Sequence, residues 1–449
     1  MSVPNFIHFG CWNKGGCSMD SQELNNLSRV MKNLREVCND ETTKPEFVVV
    51  SGDNYYPDTL TITTDEKKIK GKNINTRHLD SGLECLPNNV PVNIILGNHD
   101  VESDVLVDYQ IPAEAISFPE VPEQQKCYIL DKQIEFAGKR QQFGTTLDVY
   151  ASRIFNHETL VLMIDTTLYY DEEKIGLKCY RHYYENDNLT LSELRDNQKN
   201  FVEREIKIVE SNAEIKNIVI IGHDPIICYK VKKGDTITIV SPGYNLINLL
   251  YDSIYKNIPR NRNLKFYYLC ADLHQYQIGN VKIEREDDDS MDIKQYIVGT
   301  GGTDLDDYPF TSSDQSTYER YNENVHLNGN PTEYKIEYSL TPEQISLSRE
   351  SYGFLQCYDI DGSLAFNFID TTNDPRVNVR ETMDNDALTR VHVISGGRKR
   401  KNNKKNSNIS GKRTIKIKIY NRKKTNKKKT NKKHIKNKKT KKGKKTKRN

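Results

Sequence analysis

The chain has 449 residues, 36% of them hydrophobic, with 66 Lys and Arg against 62 Asp and Glu. That composition can bury a core across one large domain or two modest ones, and no apolar run reaches membrane-spanning length, which excludes a membrane-spanning class. The near balance of charge hides an asymmetry: residues 396–449 hold 27 Lys and Arg and no acid, leaving 39 basic against 62 acidic side chains in residues 1–395.

The first elements read as strand, loop, helix and strand. Phe6 to Gly10 is apolar; Ser21, followed by Leu24, Leu27, Val30, Met31 and Leu34, predicts a capped helix with one apolar face; Phe47 to Val50 is a second buried strand. A third runs from Val90 to Leu96 and stops at Gly97. Leu191 to Ser211, with Leu194, Phe201, Ile206 and Val209, predicts a helix ahead of a strand at Ile218 to Ile221, and Leu264 to Cys270 predicts another strand. Helices between buried strands imply a layered α/β sheet.

After Ala271 the runs shorten. Tyr276 to Ile283, Gln295 to Val298, Phe354 to Tyr358 and Leu364 to Ile369 predict a second, antiparallel-rich sheet, with Glu284 to Asp289 as a solvated hairpin turn. Residues 301–350, rich in Asp, Ser, Asn and Tyr, predict a long surface insertion. There is no internal repeat. The Lys, Asn and Thr tail lacks the apolar residues to offset ordering entropy and repels itself, so it is expected to be disordered. Within it Thr414 to Tyr420 alternates like a strand and reads as an apolar patch guarded by lysines.

Nine cysteines without a CxxC pair fit a reducing compartment rather than a disulfide scaffold. The N-terminus has neither a basic leader nor a long apolar segment, so a soluble, intracellular protein without a membrane partner is expected, and the sequon Asn188-Leu-Thr190 is read as accidental.

Four strand ends carry ligand-type residues: Ser51-Gly-Asp-Asn-Tyr-Tyr56, Gly97-Asn-His-Asp100, Gly222-His-Asp-Pro225 and Ala271-Asp-Leu-His274. Buried strands that end this way deliver side chains to one sheet edge, and carboxylate, amide and imidazole groups together suit metal-assisted hydrolysis.

In this order the motifs resemble those of calcineurin-like metallophosphoesterases, specifically the purple (tartrate-resistant) acid phosphatase-like branch. The resemblance covers roughly residues 5–370, includes Gly299-Thr-Gly-Gly302 and Gly353-Phe-Leu355, and excludes the tail. It implies a four-layer α/β/β/α sandwich with two mixed sheets over residues 1–380, followed by a linker and basic tail over 381–449. It also implies two divalent or trivalent metal ions (Fe, Zn or Mn). Asp53 would bridge them, with Tyr56 and His274 on the first and Asn98 and His223 on the second. His99 would meet the phosphate and the leaving oxygen, and Asp100 would orient His99.

Two positions depart from the pattern. Gly10-Cys-Trp-Asn-Lys-Gly-Gly16 places Cys11 where the family has aspartate, and Asp272 stands where it has histidine. As ligands, a thiolate shifts the first ion toward zinc or iron and a carboxylate makes the second site harder. Otherwise Cys11 is a buried apolar filler and Asp272 a solvated cap in a decayed fold.

The leading expectation is a metal-dependent, acid phosphatase-like enzyme acting on phosphate monoesters. Its alternatives are a degenerate phosphatase fold that binds nucleic acid nonspecifically through residues 396–449, and a nuclease of the same superfamily, whose polyanion the acidic body would repel. The Lys, Asn, Ile and Tyr richness resembles proteins of large DNA viruses with AT-rich genomes, which implies a nuclear or virion setting.

Overall fold

Alternating apolar residues along the buried strands divide between two cores, and that division sets the architecture. In Asn217–Ile221, Val219 and Ile221 join one hydrophobic cluster while Ile218 and Ile220 join another. Lys265–Cys270 splits likewise, with Tyr267 and Leu269 on one side and Phe266, Tyr268 and Cys270 on the other. Strands apolar on both faces belong to a sheet covered on both sides. The computed structural model describes residues 4–382 except 20–23, 64–67, 102–104, 108–126, 170–176, 233–235, 241–242, 286–288, 309–320, 328–329 and 373–377, together with 418–419.

The first sheet runs in the order Asn378–Thr382, Ser363–Asp370, Gly353–Ile360, Phe6–Phe9, Phe47–Ser51, Val92–Ile95 and Thr146–Leu147, the last four mutually parallel. The second runs Tyr321–Leu327, Asn330–Ser339, Tyr276–Arg285, Met291–Val298, Lys265–Cys270, Asn217–Ile221, Thr159–Ile164 and Tyr150–Phe155, with a parallel block from Met291–Val298 to Thr159–Ile164. The sheets meet face to face, where Tyr276 stacks on Phe368 at 4.1 Å and Tyr296 meets Phe366 at 4.4 Å. Helix Asn26–Asn39 packs Leu27, Val30, Met31 and Leu34 into the first cluster, and helix Leu191–Ser211 packs Phe201, Val202, Ile206 and Val209 into the second. Each such buried side chain contributes roughly 2 kcal/mol. The result is the expected four-layer α/β/β/α sandwich.

Helix Leu191–Ser211 has the expected bounds because Thr190 and Glu193 close a capping box at its start. The first helix is capped by Asn25, whose side chain accepts from Ser28 N at 2.7 Å, and the expected cap Ser21 lies outside the described residues. Three readings need correction. The late strands do not form a sheet of their own: Gly353–Ile360 pairs antiparallel with Phe6–Phe9 in the first sheet, while Tyr276–Arg285 and Met291–Val298 belong to the second. Nor is 301–350 wholly a surface insertion, since Asn330–Ser339 pairs with Tyr276–Arg285 and buries Tyr334, Ile336 and Tyr338. A polar composition concealed that period of two. The tail lies outside the described residues, save Lys418–Ile419, which pair parallel with Thr238–Ile239 at the edge of the hairpin formed by Cys228–Lys232 and Thr236–Val240.

The third correction concerns cysteine. Cys17–Cys85 and Cys127–Cys179 are disulfides, and Cys11, Cys38, Cys228, Cys270 and Cys357 are buried free thiols. The pairs are 68 and 52 residues apart in sequence, so spacing could not show them. Disulfides persist in oxidising surroundings, and the reducing-compartment reading loses its basis. Among the described residues no helix is long and apolar enough to cross a membrane.

Candidate metal centre

Parallel strands of both sheets release their C-terminal residues at one place. Cys11 follows Phe6–Phe9, Asp53 follows Phe47–Ser51, and Asn98 and His99 follow Val92–Ile95; from the second sheet, His223 follows Asn217–Ile221 and Asp272 and His274 follow Lys265–Cys270. This is the edge where open α/β sheets bind their ligands.

Each strand must turn sharply there. Cys11, Asp53 and Asp272 have φ of 52°, 51° and 51°, all left-handed. A side chain in that region costs roughly 1–2 kcal/mol and persists only where its surroundings impose it. Cross-links between the turns do so: Cys11 N donates to Gly52 O at 3.1 Å, Trp12 N to Asp53 O at 3.2 Å, and Ala271 N to His223 O at 2.8 Å. Gly52 (φ +81°) must be glycine, because a Cβ there would lie 2.6 Å from His223 Nδ1 and 2.7 Å from Gly97 Cα.

Asp53 is the hub. Its Oδ1 lies 3.3 Å from His223 Nε2 and accepts from His99 N at 3.0 Å, while its Oδ2 accepts from the Tyr56 hydroxyl at 2.7 Å. His223 Nε2 is also 3.2 Å from Asn98 Oδ1 and 3.9 Å from Asp272 Oδ1. Tyr56 Oη is 3.0 Å from His274 Nε2. Cys11 Sγ, a carboxylate oxygen of Asp53 and a ring nitrogen of His223 lie within 4.8 Å of one another, all buried. The structure thus brings together Cys11, Asp53, Tyr56, Asn98, His223, Asp272 and His274. Tyr55, which could have competed with Tyr56, turns instead to Asn75, whose N–H it accepts at 2.8 Å.

Two carbonyls fix the imidazoles. His223 Nδ1 is 2.8 Å from Ser51 O and His274 Nδ1 is 2.8 Å from Asp304 O. A carbonyl only accepts, so Nδ1 carries a hydrogen in both rings and Nε2 faces the centre. His99 lies with Nε2 4.0 Å from Asp53 Oδ2, its side chain 30% exposed and its ring 4.9 Å from that of Tyr56.

The electrostatics ask for positive charge. Burial works to lower the His223 imidazole, but Asp53, Asp224 and Asp272 outweigh it and raise it to about 9. Burial and then Asp53 push both the Cys11 thiol and the Tyr56 hydroxyl well above their ordinary ranges. A cation among these groups reverses that balance, stabilising thiolate and phenolate and displacing the imidazole proton. The mixed N, O and S donor set therefore fits a metal.

Asp100 does not serve as expected. Its carboxylate accepts from Asn54 N (2.9 Å), Asn54 Nδ2 (2.9 Å), Gly97 N (2.8 Å) and Gln133 Nε2 (2.8 Å), so it braces the two turns rather than orienting the His99 ring. Burial, then the charge of Asp53, raises it to about 7. Sequence reasoning also missed Thr166, whose hydroxyl oxygen accepts from His223 N at 3.1 Å and Asp224 N at 2.8 Å, and Asp306, which accepts from His274 N at 3.1 Å. The only signal for Thr166 was its place after Asp165 at the end of Thr159–Ile164, another strand of the same parallel block. Asp165 itself accepts from Thr167 and Tyr180 in the core behind His223.

A family model described as calcineurin-like phosphoesterase matches residues 4–276, more than half of the chain. No curated protein matches the sequence. Among solved structures the chain is similar to one titled "Structure of PhoD", at 11% identity and a TM-score of 0.38, over 85% of this chain and 69% of that one. By the extent of the family match, the chain belongs to the calcineurin-like phosphoesterases, a family of metal-dependent phosphoesterases.

Proposed function

We propose that the chain hydrolyses phosphate monoesters in the manner of the purple acid phosphatase-like branch. One ion would be held by Cys11, Asp53, Tyr56 and His274, the other by Asp53, Asn98, His223 and Asp272. The observation that carries this reading is the shared left-handed backbone of Cys11, Asp53 and Asp272. The two residues that depart from the family pattern adopt the left-handed conformation of the hub carboxylate, and for Cys11, fully buried and of a type that does not favour that region, a mere filler offers no reason for it.

Iron, zinc or manganese suits these donors, and such ions polarise a phosphoryl oxygen and acidify a water. The protein supplies position and protons. Asp53 and the two carbonyl-fixed imidazoles hold the donors in place, and the half-buried His99 is placed to protonate a leaving oxygen. Residues 1–380 would form this catalytic unit. The arm at 396–449, with 27 cationic side chains, suits nonspecific contact with nucleic-acid phosphates.

Elemental analysis should find about two metals per chain, and Asp53→Asn should abolish aryl phosphate hydrolysis. Unchanged turnover in that variant refutes the assignment.

A further inference from the structure

His274 is held by the short acidic segment that follows Gly299-Thr-Gly-Gly302. Asp304 O faces its Nδ1 at 2.8 Å, and Asp306 Oδ2 accepts its backbone N–H at 3.1 Å. Each aspartate also carries a lysine. Lys14 Nζ pairs with Asp304, and Lys230 Nζ lies 3.1 Å from Asp306 Oδ2. Lys14 sits on the loop that leaves Cys11, whereas Lys230 lies on the strand Cys228–Lys232 that follows His223. Both lysines thus meet the segment that holds His274, one from the first sheet's connection after Cys11 and the other from the strand after His223.

Both pairs are open to solvent. The side chains of Lys14 and Lys230 are 42% and 35% exposed, and those of Asp304 and Asp306 are 82% and 23% exposed. Ion pairs this exposed contribute little, so a doubly charged ligand can take either lysine from its aspartate. Lys230 also acts electrostatically on Asp272 and His274, within the centre itself. Residues 1–395 carry 39 basic against 62 acidic side chains, a field that repels anions. Lys14 and Lys230 set two cations among the carboxylates of this segment.

We infer that Lys14 and Lys230 form a second anion subsite beside the metal centre, and that the preferred substrates are phosphate monoesters bearing a second phosphate. The assignment rests on the phosphomonoesterase reading and names the substrate class within it. Lysine is a compact charge with three donors, suited to phosphate oxygens that rotate and exchange.

The test compares fructose 6-phosphate with fructose 1,6-bisphosphate on the metal-loaded, full-length protein. The wild type should prefer the bisphosphate at least tenfold in kcat/KM, a difference of about 1.4 kcal/mol, with the gain in KM and shrinking as salt rises. Lys14→Met and Lys230→Met should each cut that ratio severalfold, the double variant should nearly abolish it, and Lys230→Arg should keep most of it. If Lys230 merely supports Asp306 and His274, its loss will lower kcat for both sugars and leave the ratio unchanged, which overturns the subsite. A wild type without preference overturns it too. Should neither sugar turn over, the monoesterase reading fails instead, and calorimetric binding of the same two sugars still decides the subsite: equal affinities reject it.

Discussion

The Nδ1 of His223 sits 2.8 Å from the backbone carbonyl of Ser51. Ser51 ends a strand of the first sheet and His223 follows a strand of the second, so this one hydrogen bond spans the sandwich at the metal centre. Any slip between the sheets would move the imidazole off Asp53.

Another support of His223 is Thr166, and its removal should be felt as lost metal. Thr166→Val leaves the N–H groups of His223 and Asp224 without their acceptor, at about 1–3 kcal/mol for each buried group. Metal affinity should fall roughly 10–100-fold, read by chelator competition, with Thr166→Ser restoring it. Wild-type affinity in the valine variant would refute the role.

His8 should set part of the acid sensitivity. It is fully buried, with Nε2 2.8 Å from Ser51 Oγ, and burial lowers its pKa from 6.5 to about 3. The folded state thus refuses a proton that the unfolded chain accepts. Stability is intact above pH 6.5 and is lost as pH falls toward 3, by on the order of 4 kcal/mol. In thermal melts between pH 7.5 and 4, His8→Gln should show a shallower decline than the wild type. Parallel curves would exclude His8 as the cause.

The disulfides predict a count. Alkylation of the denatured, unreduced protein should label five thiols, those of Cys11, Cys38, Cys228, Cys270 and Cys357, and intact mass reads the number directly. Nine labels would mean that neither bond forms. Cys85→Ser should lower stability by about 2–4 kcal/mol.

Removing the arm should separate two properties. Deletion of residues 396–449 is expected to abolish salt-sensitive DNA binding while hydrolysis persists. Lost hydrolysis would show that the arm belongs to the catalytic unit.

Most of the candidate centre was legible in the sequence because its candidate ligands follow closely on apolar runs, as Asp53 does after Phe47–Ser51 and His223 after Asn217–Ile221. The residues that brace those ligands were not. Gln133 reaches Asp100 from the middle of a helix, where nothing distinguishes it from a surface glutamine, and Asp306 lies among look-alikes at 304 and 307. Asp100 was found but given the wrong neighbour, since adjacency to His99 suggested a contact that the turn directs elsewhere. Tyr334 and Tyr338 were lost for the converse reason: tyrosine and polar neighbours look like surface until a pairing strand shows which face is buried.

The left-handed turns at Cys11, Asp53 and Asp272 have a last consequence. Glycine adopts φ near 50° without a steric penalty, so each of these side chains is kept at a cost in backbone strain. Cys11→Gly relieves that strain but leaves a buried space where the thiol stood, so its melting temperature should stay close to the wild type's while one corner of the candidate centre empties. At these three strand ends the chain carries backbone strain for the sake of the side chain it places there, so local stability and chemistry are set against each other residue by residue.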